Sequence, residues 1–144
     1  MIIDLQTAFA CAVAPIHSIP RLILGMAWIW THQLMCNVSN QARTPAEDAV
    51  NKPWRPLPAG RVTEGQAAVL RWIVVLFCLS LSAMLGRNLV FMTLGLLFTT
   101  VLYDELGLAG HYIGKNLCNI GGYTTMEIGA TKLIGTSADD KRES

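Results

Sequence analysis

Long apolar runs separated by short polar blocks organise this chain. Between Arg21 and Arg43 no side chain carries a formal charge, and Leu22 to Val38 is mostly aliphatic and aromatic, with Trp28 and Trp30 near its middle. A bilayer core takes about 20 helical residues, so the run reaches spanning length if Ile16 to Pro20 contribute. A second run, Ala67 to Leu85, carries only Arg71, close to its start, where the side chain can snorkel toward headgroups. It is the strongest span. Gly86-Arg87-Asn88 interrupts the pattern, and Leu89 to Leu102 is again uncharged until Tyr103-Asp104-Glu105. The two runs predict a tight helical hairpin that crosses a membrane twice.

Asn116 to Ile134 is milder, with Gly121, Gly122, Glu127, Gly129 and Lys132 among apolar residues. It reads as a polar-lined span or an interfacial helix. Small residues suit close helix packing in lipid, and Glu127 should face protein or water. The pattern as a whole predicts an all-α integral membrane helical bundle with about four membrane segments over residues 1–136. A charge-dense tail, 137–144, is expected to be disordered.

Composition agrees with that pattern: 52% of the residues are hydrophobic and 15% charged, apolar for a globular protein. A net charge of +1 gives no basic field to gather nucleic acid, which excludes that class of partner. Cys11, Cys36, Cys78 and Cys118 are too widely spaced for a CxxC zinc site, and they read as small hydrophobes rather than a disulfide framework. His17, His32 and His111 have no ligand spacing and are assigned to packing or interfacial roles. Ala8 to Ala14 followed by Pro15 has the look of a short signal-peptide core, but Asp4 is the only charge before it, where such a peptide carries a basic start. Asn37-Val38-Ser39 fits the glycosylation pattern yet lies at a predicted helix end. Trp54 and Trp72 suit interface anchoring. Arg43, Lys52, Arg55 and Arg61 crowd the connection Ser39 to Glu64, whereas the opposite one offers Arg87 alone. The polar connection is therefore expected to face the cytosol.

That connection is where chemistry concentrates. Prolines that merely stop helices in a solvated loop account for part of it. Glu47 and Asp48, however, are hard oxygen ligands suited to magnesium, and Lys52, Arg55 and Arg61 follow within reach of the same anion. Such a set can hold a metal-diphosphate group, whose departure from an allylic carbon needs its developing charge neutralised.

The order Asn51-Lys52-Pro53, Arg55-Pro56 and Gly60-Arg61 beside a membrane helix resembles the first aspartate-rich motif of the UbiA superfamily. Asn40 takes the opening asparagine and Asp48 the last aspartate. Gln41 and Thr44 stand where the usual pattern carries aspartates, with Glu47 as a neighbouring ligand. This substituted form resembles a fungal branch that includes membrane-bound terpene cyclases. The resemblance runs from about Gln6 to Ile134.

The resemblance implies half of a nine-helix fold, with a second aspartate-rich motif in a later loop and two magnesium ions around an isoprenyl diphosphate. No comparable second motif occurs here, and Asp139-Asp140 lacks its context. It further implies a Mg2+ cofactor held by Asn40, Glu47 and Asp48, with Lys52, Arg55 and Arg61 on phosphate. A second cytosolic loop would add Tyr103 and Lys115. The expected reaction is prenyl transfer to an aromatic or polyketide acceptor, or terpene cyclisation, in specialised metabolism, with the catalytic residue unassigned. The rival expectation is a catalytically silent paralogue or scaffold subunit, paired with a partner subunit that supplies the other half. Glu127 is either a functional ion partner or a sign that its segment leaves the lipid.

Overall fold

A computed structural model describes residues 2–14, 16 and 18–135. The expectations for Pro15, His17 and the tail 137–144 fall outside them. Every regular element described is helical: α1 (Ile2–Val13), α2 (Ile19–Arg43), α3 (Pro45–Asn51), α4 (Glu64–Leu85), α5 (Arg87–Asp104) and α6 (Tyr112–Gly135), with a 3-10 turn at Leu108–Gly110 before α6.

Local chemistry sets the boundaries. Ser18 caps α2 through its hydroxyl, which accepts from the Arg21 backbone N–H, and Pro20 stands in the first turn, where its missing N–H costs nothing. Thr63 and Gln66 form a reciprocal capping box at the start of α4, with bonds of 3.2 and 3.0 Å. The α4–α5 turn is tighter than the sequence suggests, because Gly86 alone makes it, at φ +146°, a conformation that L side chains rarely adopt. The polar connection is also less of a loop than expected. Helix α2 continues to Arg43, so Asn40 and Gln41 are helical, and Glu47 and Asp48 lie in the first turn of α3, where a helix N-terminus favours negative charge. Residues 52–62 fold back through turn bonds such as Arg61 N–H to Pro56 C=O at 2.9 Å.

Helix α2 packs against α1, α4, α5 and α6, and α6 packs against α1, α2 and α5. Side-chain pairings fix the directions. His32, Cys36 and Asn40 of α2 meet Thr93, Thr100 and Asp104 of α5 in the same order, so these two helices run parallel. Trp28 meets Ser82 and Thr31 meets Cys78, in opposite order, so α4 runs antiparallel to α2. The end of α2, the start of α4, the end of α5 and the start of α6 therefore gather at one end of the bundle. Glycines let α6 approach closely: at Gly129 an added Cβ would fall 2.5 Å from Trp28 Cη2, and at Gly121 it would fall 3.1 Å from Thr99 Cγ2.

The middle of the bundle holds a closed polar ring. Trp28 Nε1–H donates to Ser82 Oγ at 2.9 Å, Ser82 lies 2.6 Å from Thr93 Oγ1, and Thr93 Oγ1 lies 2.9 Å from His32 Nε2. His32 Nδ1 donates to the Trp28 carbonyl at 2.8 Å, and its ring stacks on the Trp28 indole with centroids 4.0 Å apart. The Trp28 carbonyl can only accept, which assigns the His32 proton to Nδ1 and leaves Nε2 as an acceptor. All four side chains are buried, and three helices are locked in register by the ring.

Outward faces are apolar. Ile73, Leu76, Phe77 and Met84 of α4, with Phe91 and Phe98 of α5, are all more than half exposed, a surface that a water-soluble monomer rarely presents. Among the described residues, Glu64–Leu85 is the one helix long and apolar enough to cross a membrane by length and composition, against about four expected segments. The others are diluted by polar side chains turned inward, such as His32, Ser39 and Asn40 in α2, or by glycines in α6.

Candidate functional site

At the polar end, α2, α5 and α6 part around a cavity of about 210 Å³. Each helix contributes one face. Gln33, Cys36, Asn37 and Asn40 come from α2; Leu96, Thr100, Tyr103 and Asp104 from α5; Cys118, Asn119, Gly122 and Met126 from α6. Steps of three and four residues place these side chains on a single helical stripe. Asn40, Tyr103 and Asp104 mark the outer end. Leu96 lies two turns deeper on α5, about 12 Å along the axis at 1.5 Å per residue. The cavity thus carries amides, a phenol and a carboxylate at its outer end, and Leu96 and Met126 beside the Gln33 amide deeper in.

Two charge networks frame it. Asn40 Nδ2 donates to Asp104 Oδ1 at 3.2 Å, joining the ends of α2 and α5. Next to Asp104, Glu105 is gripped from two sides. Arg43 binds both of its carboxylate oxygens, and Arg71 Nη2 lies 2.8 Å from Oε1. Those hydrogen bonds, Arg43's first and Arg71's second, hold the Glu105 carboxyl below its usual range. Arg71 is buried, and its Nε has no hydrogen-bond partner. The residue expected to snorkel from the start of α4 is instead an inward strut between α4 and the end of α5.

The second network belongs to the polar block. Asp48 is buried at 4% exposure, and Arg55 Nη1 binds its Oδ2 at 2.6 Å. Arg61 donates through Nη2 to the Trp54 carbonyl, closing the 52–62 turn on itself. Glu47, Lys52 and Arg61 are exposed, as is Lys115 in the first turns of α6.

Residues 5–138 match the UbiA prenyltransferase family. The chain belongs to that family. The fumagillin beta-trans-bergamotene synthase of Aspergillus fumigatus is 37% identical over 91% of this chain, a diterpene cyclase of Hericium erinaceus 29% over 71%, and a polyprenyl transferase of the same fungus 29% over 83%. The chain spans 47%, 33% and 39% of those proteins, less than half of each. No solved structure matches it.

UbiA proteins are membrane-embedded, which accounts for the apolar exterior. Of the metal residues expected from the UbiA motif, Asn40 reaches the cavity, Asp48 is engaged by Arg55, and Glu47 is exposed. Of the diphosphate residues, Tyr103 lines the cavity. Arg55 pairs with Asp48, and three cations stand outside the cavity: Lys52 and Arg61 on the α3–α4 connection, and Lys115 in the first turns of α6. Among the described residues no three His, Cys, Asp or Glu side chains converge. That leaves Asn40 and Asp104 as the hard-oxygen donors beside each other at the cavity. Such a set suits magnesium, which takes one or two protein carboxylates and completes its shell with phosphate oxygens and water.

Sequence reasoning passed over Asp104, Asn37 and Asn119. Asn37 stood out only as a glycosylation pattern, whereas it lies inside α2 and lines the cavity. The available signal was periodic: polar residues at 33, 37 and 40 share one stripe of an otherwise apolar helix.

Proposed function

We propose that this protein is a magnesium-dependent membrane enzyme, or the diphosphate-binding part of one, that acts on an allylic isoprenyl diphosphate by prenyl transfer or terpene cyclisation. The observation that carries the reading is a cavity with Asn40, Tyr103 and Asp104 at its outer end and the apolar Leu96 and Met126, with the Gln33 amide, deeper in, in a UbiA chain. A diphosphate fits the first end and an isoprenyl chain the second. At about 210 Å³ the cavity is smaller than the ~300–1,000 Å³ typical of drug-sized ligands. It takes the head of such a substrate, and the rest of the chain runs along apolar surface beyond it.

Asn40, Glu47 and Asp48 supply the oxygen donors for Mg2+, and Lys52, Arg55, Arg61 and Lys115 the positive charge around phosphate. The Tyr103 hydroxyl donates to a diphosphate oxygen. Bound magnesium supplies Lewis-acid neutralisation of the departing diphosphate. The apolar helices α2, α4, α5 and α6 cross the membrane, with the polar end on the cytosolic side. The names of the Aspergillus and Hericium relatives, two synthases or cyclases and one transferase, support both chemistries and a place in specialised metabolism.

Membranes carrying the protein, incubated with farnesyl diphosphate and Mg2+ with and without an aromatic acceptor, should release diphosphate. Release without acceptor indicates cyclisation, and release that needs the acceptor indicates transfer. No release above empty membranes sinks the reading. It would favour the rival, a silent paralogue or scaffold subunit, to which the Asp48–Arg55 pair and the neutral Gln41 and Thr44 already lend support.

A further inference from the structure

We propose that Asp104 is a further carboxylate ligand for the metal-diphosphate group, one that joins the motif donors from the cavity wall beside Asn40, where Gln41 and Thr44 stand in place of the aspartates of the usual UbiA pattern; this rests on the function proposed above. Gln41 and Thr44 are neutral, so the end of α2 brings an amide and a hydroxyl where a divalent cation wants carboxylate oxygen. Asp48 faces Arg55 at 2.6 Å, and Glu47 is exposed. Asp104 differs from both. It lines the cavity, and it accepts a hydrogen bond from the uncharged Asn40 amide at 3.2 Å.

Among the described residues Asp104 forms no ion pair, because Arg43 and Arg71 are both taken by Glu105. A half-buried carboxylate among amides and a phenol is poorly solvated, and a cation in the cavity relieves that cost. Glu105 fixes the geometry. Clamped by two guanidiniums from α2 and α4, it pins the last turn of α5, so Asp104 is held at the outer end of the cavity beside Asn40. The Asn40 amide gives its N–H to Asp104, which leaves its carbonyl oxygen as the second hard donor. One carboxylate and one amide oxygen, completed by diphosphate oxygens and water, is the sparse protein contribution that magnesium accepts.

The test uses the full-length protein in nanodiscs, with Mn2+ as the magnetic probe and inorganic diphosphate as the co-ligand, followed by electron paramagnetic resonance. Wild type should bind Mn2+ when diphosphate is present. Asp104→Asn keeps the side-chain size and a hydrogen bond to Asn40, and should weaken binding by at least about 10-fold, since losing an outer-shell partner of a ligand already costs about 10–100-fold. Asp104→Glu should restore most of it. In wild type, Fe2+ in place of Mn2+ with ascorbate and peroxide should cut the backbone near residues 40 and 104, a readout that needs no variant to fold. Wild-type binding in Asp104→Asn, or cleavage at Glu47 and Asp48 without cleavage at 104, overturns the assignment of Asp104 alone. A wild type that binds no Mn2+ with diphosphate overturns the proposed function and this assignment together.

Discussion

Replacing Gly129 with alanine should unseat α6 from α2. The Cβ would meet the Trp28 ring at 2.5, 2.9 and 3.2 Å, closer than carbon atoms in van der Waals contact. Trp28 has nowhere to go: it is 0% exposed, stacked on His32, and tied through Nε1 to Ser82. Overpacking of this kind costs about 1–3 kcal/mol. If the indole yields instead, the Ser82 bond is lost, a further penalty of about 1 kcal/mol. The control lies on the same helix. At Gly122 the added Cβ would find Leu96 Cδ1 and Thr99 Oγ1 at 3.6 Å, ordinary contact, while alanine gains up to about 1 kcal/mol of helix propensity. Thermal unfolding of the two purified variants in one detergent, followed by intrinsic tryptophan fluorescence, should show Gly129→Ala melting well below wild type and Gly122→Ala at or above it. Equal melting of the two variants would refute the close α2–α6 approach.

Arg55→Met strands the buried Asp48 carboxylate and should cost near the lower end of about 3–5 kcal/mol, since Arg55 itself is partly exposed; adding Asp48→Asn should recover most of the loss in a thermal melt. Ser82→Ala leaves the Trp28 indole N–H without its acceptor inside the polar ring, and should destabilise by about 1–3 kcal/mol with a shifted tryptophan emission. Glu105, whose carboxyl is held below its ordinary range by Arg43 and Arg71, contributes stability that is fully present above the unfolded value of about 4.3 and is lost as pH falls through the lower folded value. Melting curves from pH 7 down to pH 3 should therefore show an acid-side drop that is smaller in Glu105→Gln, and that variant should be less stable at pH 7.

The apolar runs were legible because helices that face lipid must be hydrophobic along their length, so Ala67 to Leu85 announced α4 with little help from its neighbours. The polar block was legible for a different reason: the order Asn51-Lys52-Pro53, Arg55-Pro56 and Gly60-Arg61 is dense in one stretch of sequence and carried the family. Asn40 and Tyr103 were named as functional from the sequence, and the fold sets both at one cavity.

What the linear order withheld is pairing across helices. Asp48 and Arg55 both read as ligands for something else, and only the folded chain shows them bound to each other. Arg71 read as a lipid-headgroup anchor, yet its side chain turns inward to Glu105, 34 positions later in the chain (105 − 71). Asp104 looked like the first charge after a span and became the carboxylate beside Asn40, 64 residues away in sequence. By itself, then, the sequence determined that the chain is helical, apolar outside and of UbiA type, since hydrophobic period and a local motif are properties of neighbouring residues. Which carboxylates are neutralised by arginine and which one faces the cavity was decided by the tertiary structure alone, because charge pairing depends on distances of a few ångströms between helix ends that the order of residues does not contain.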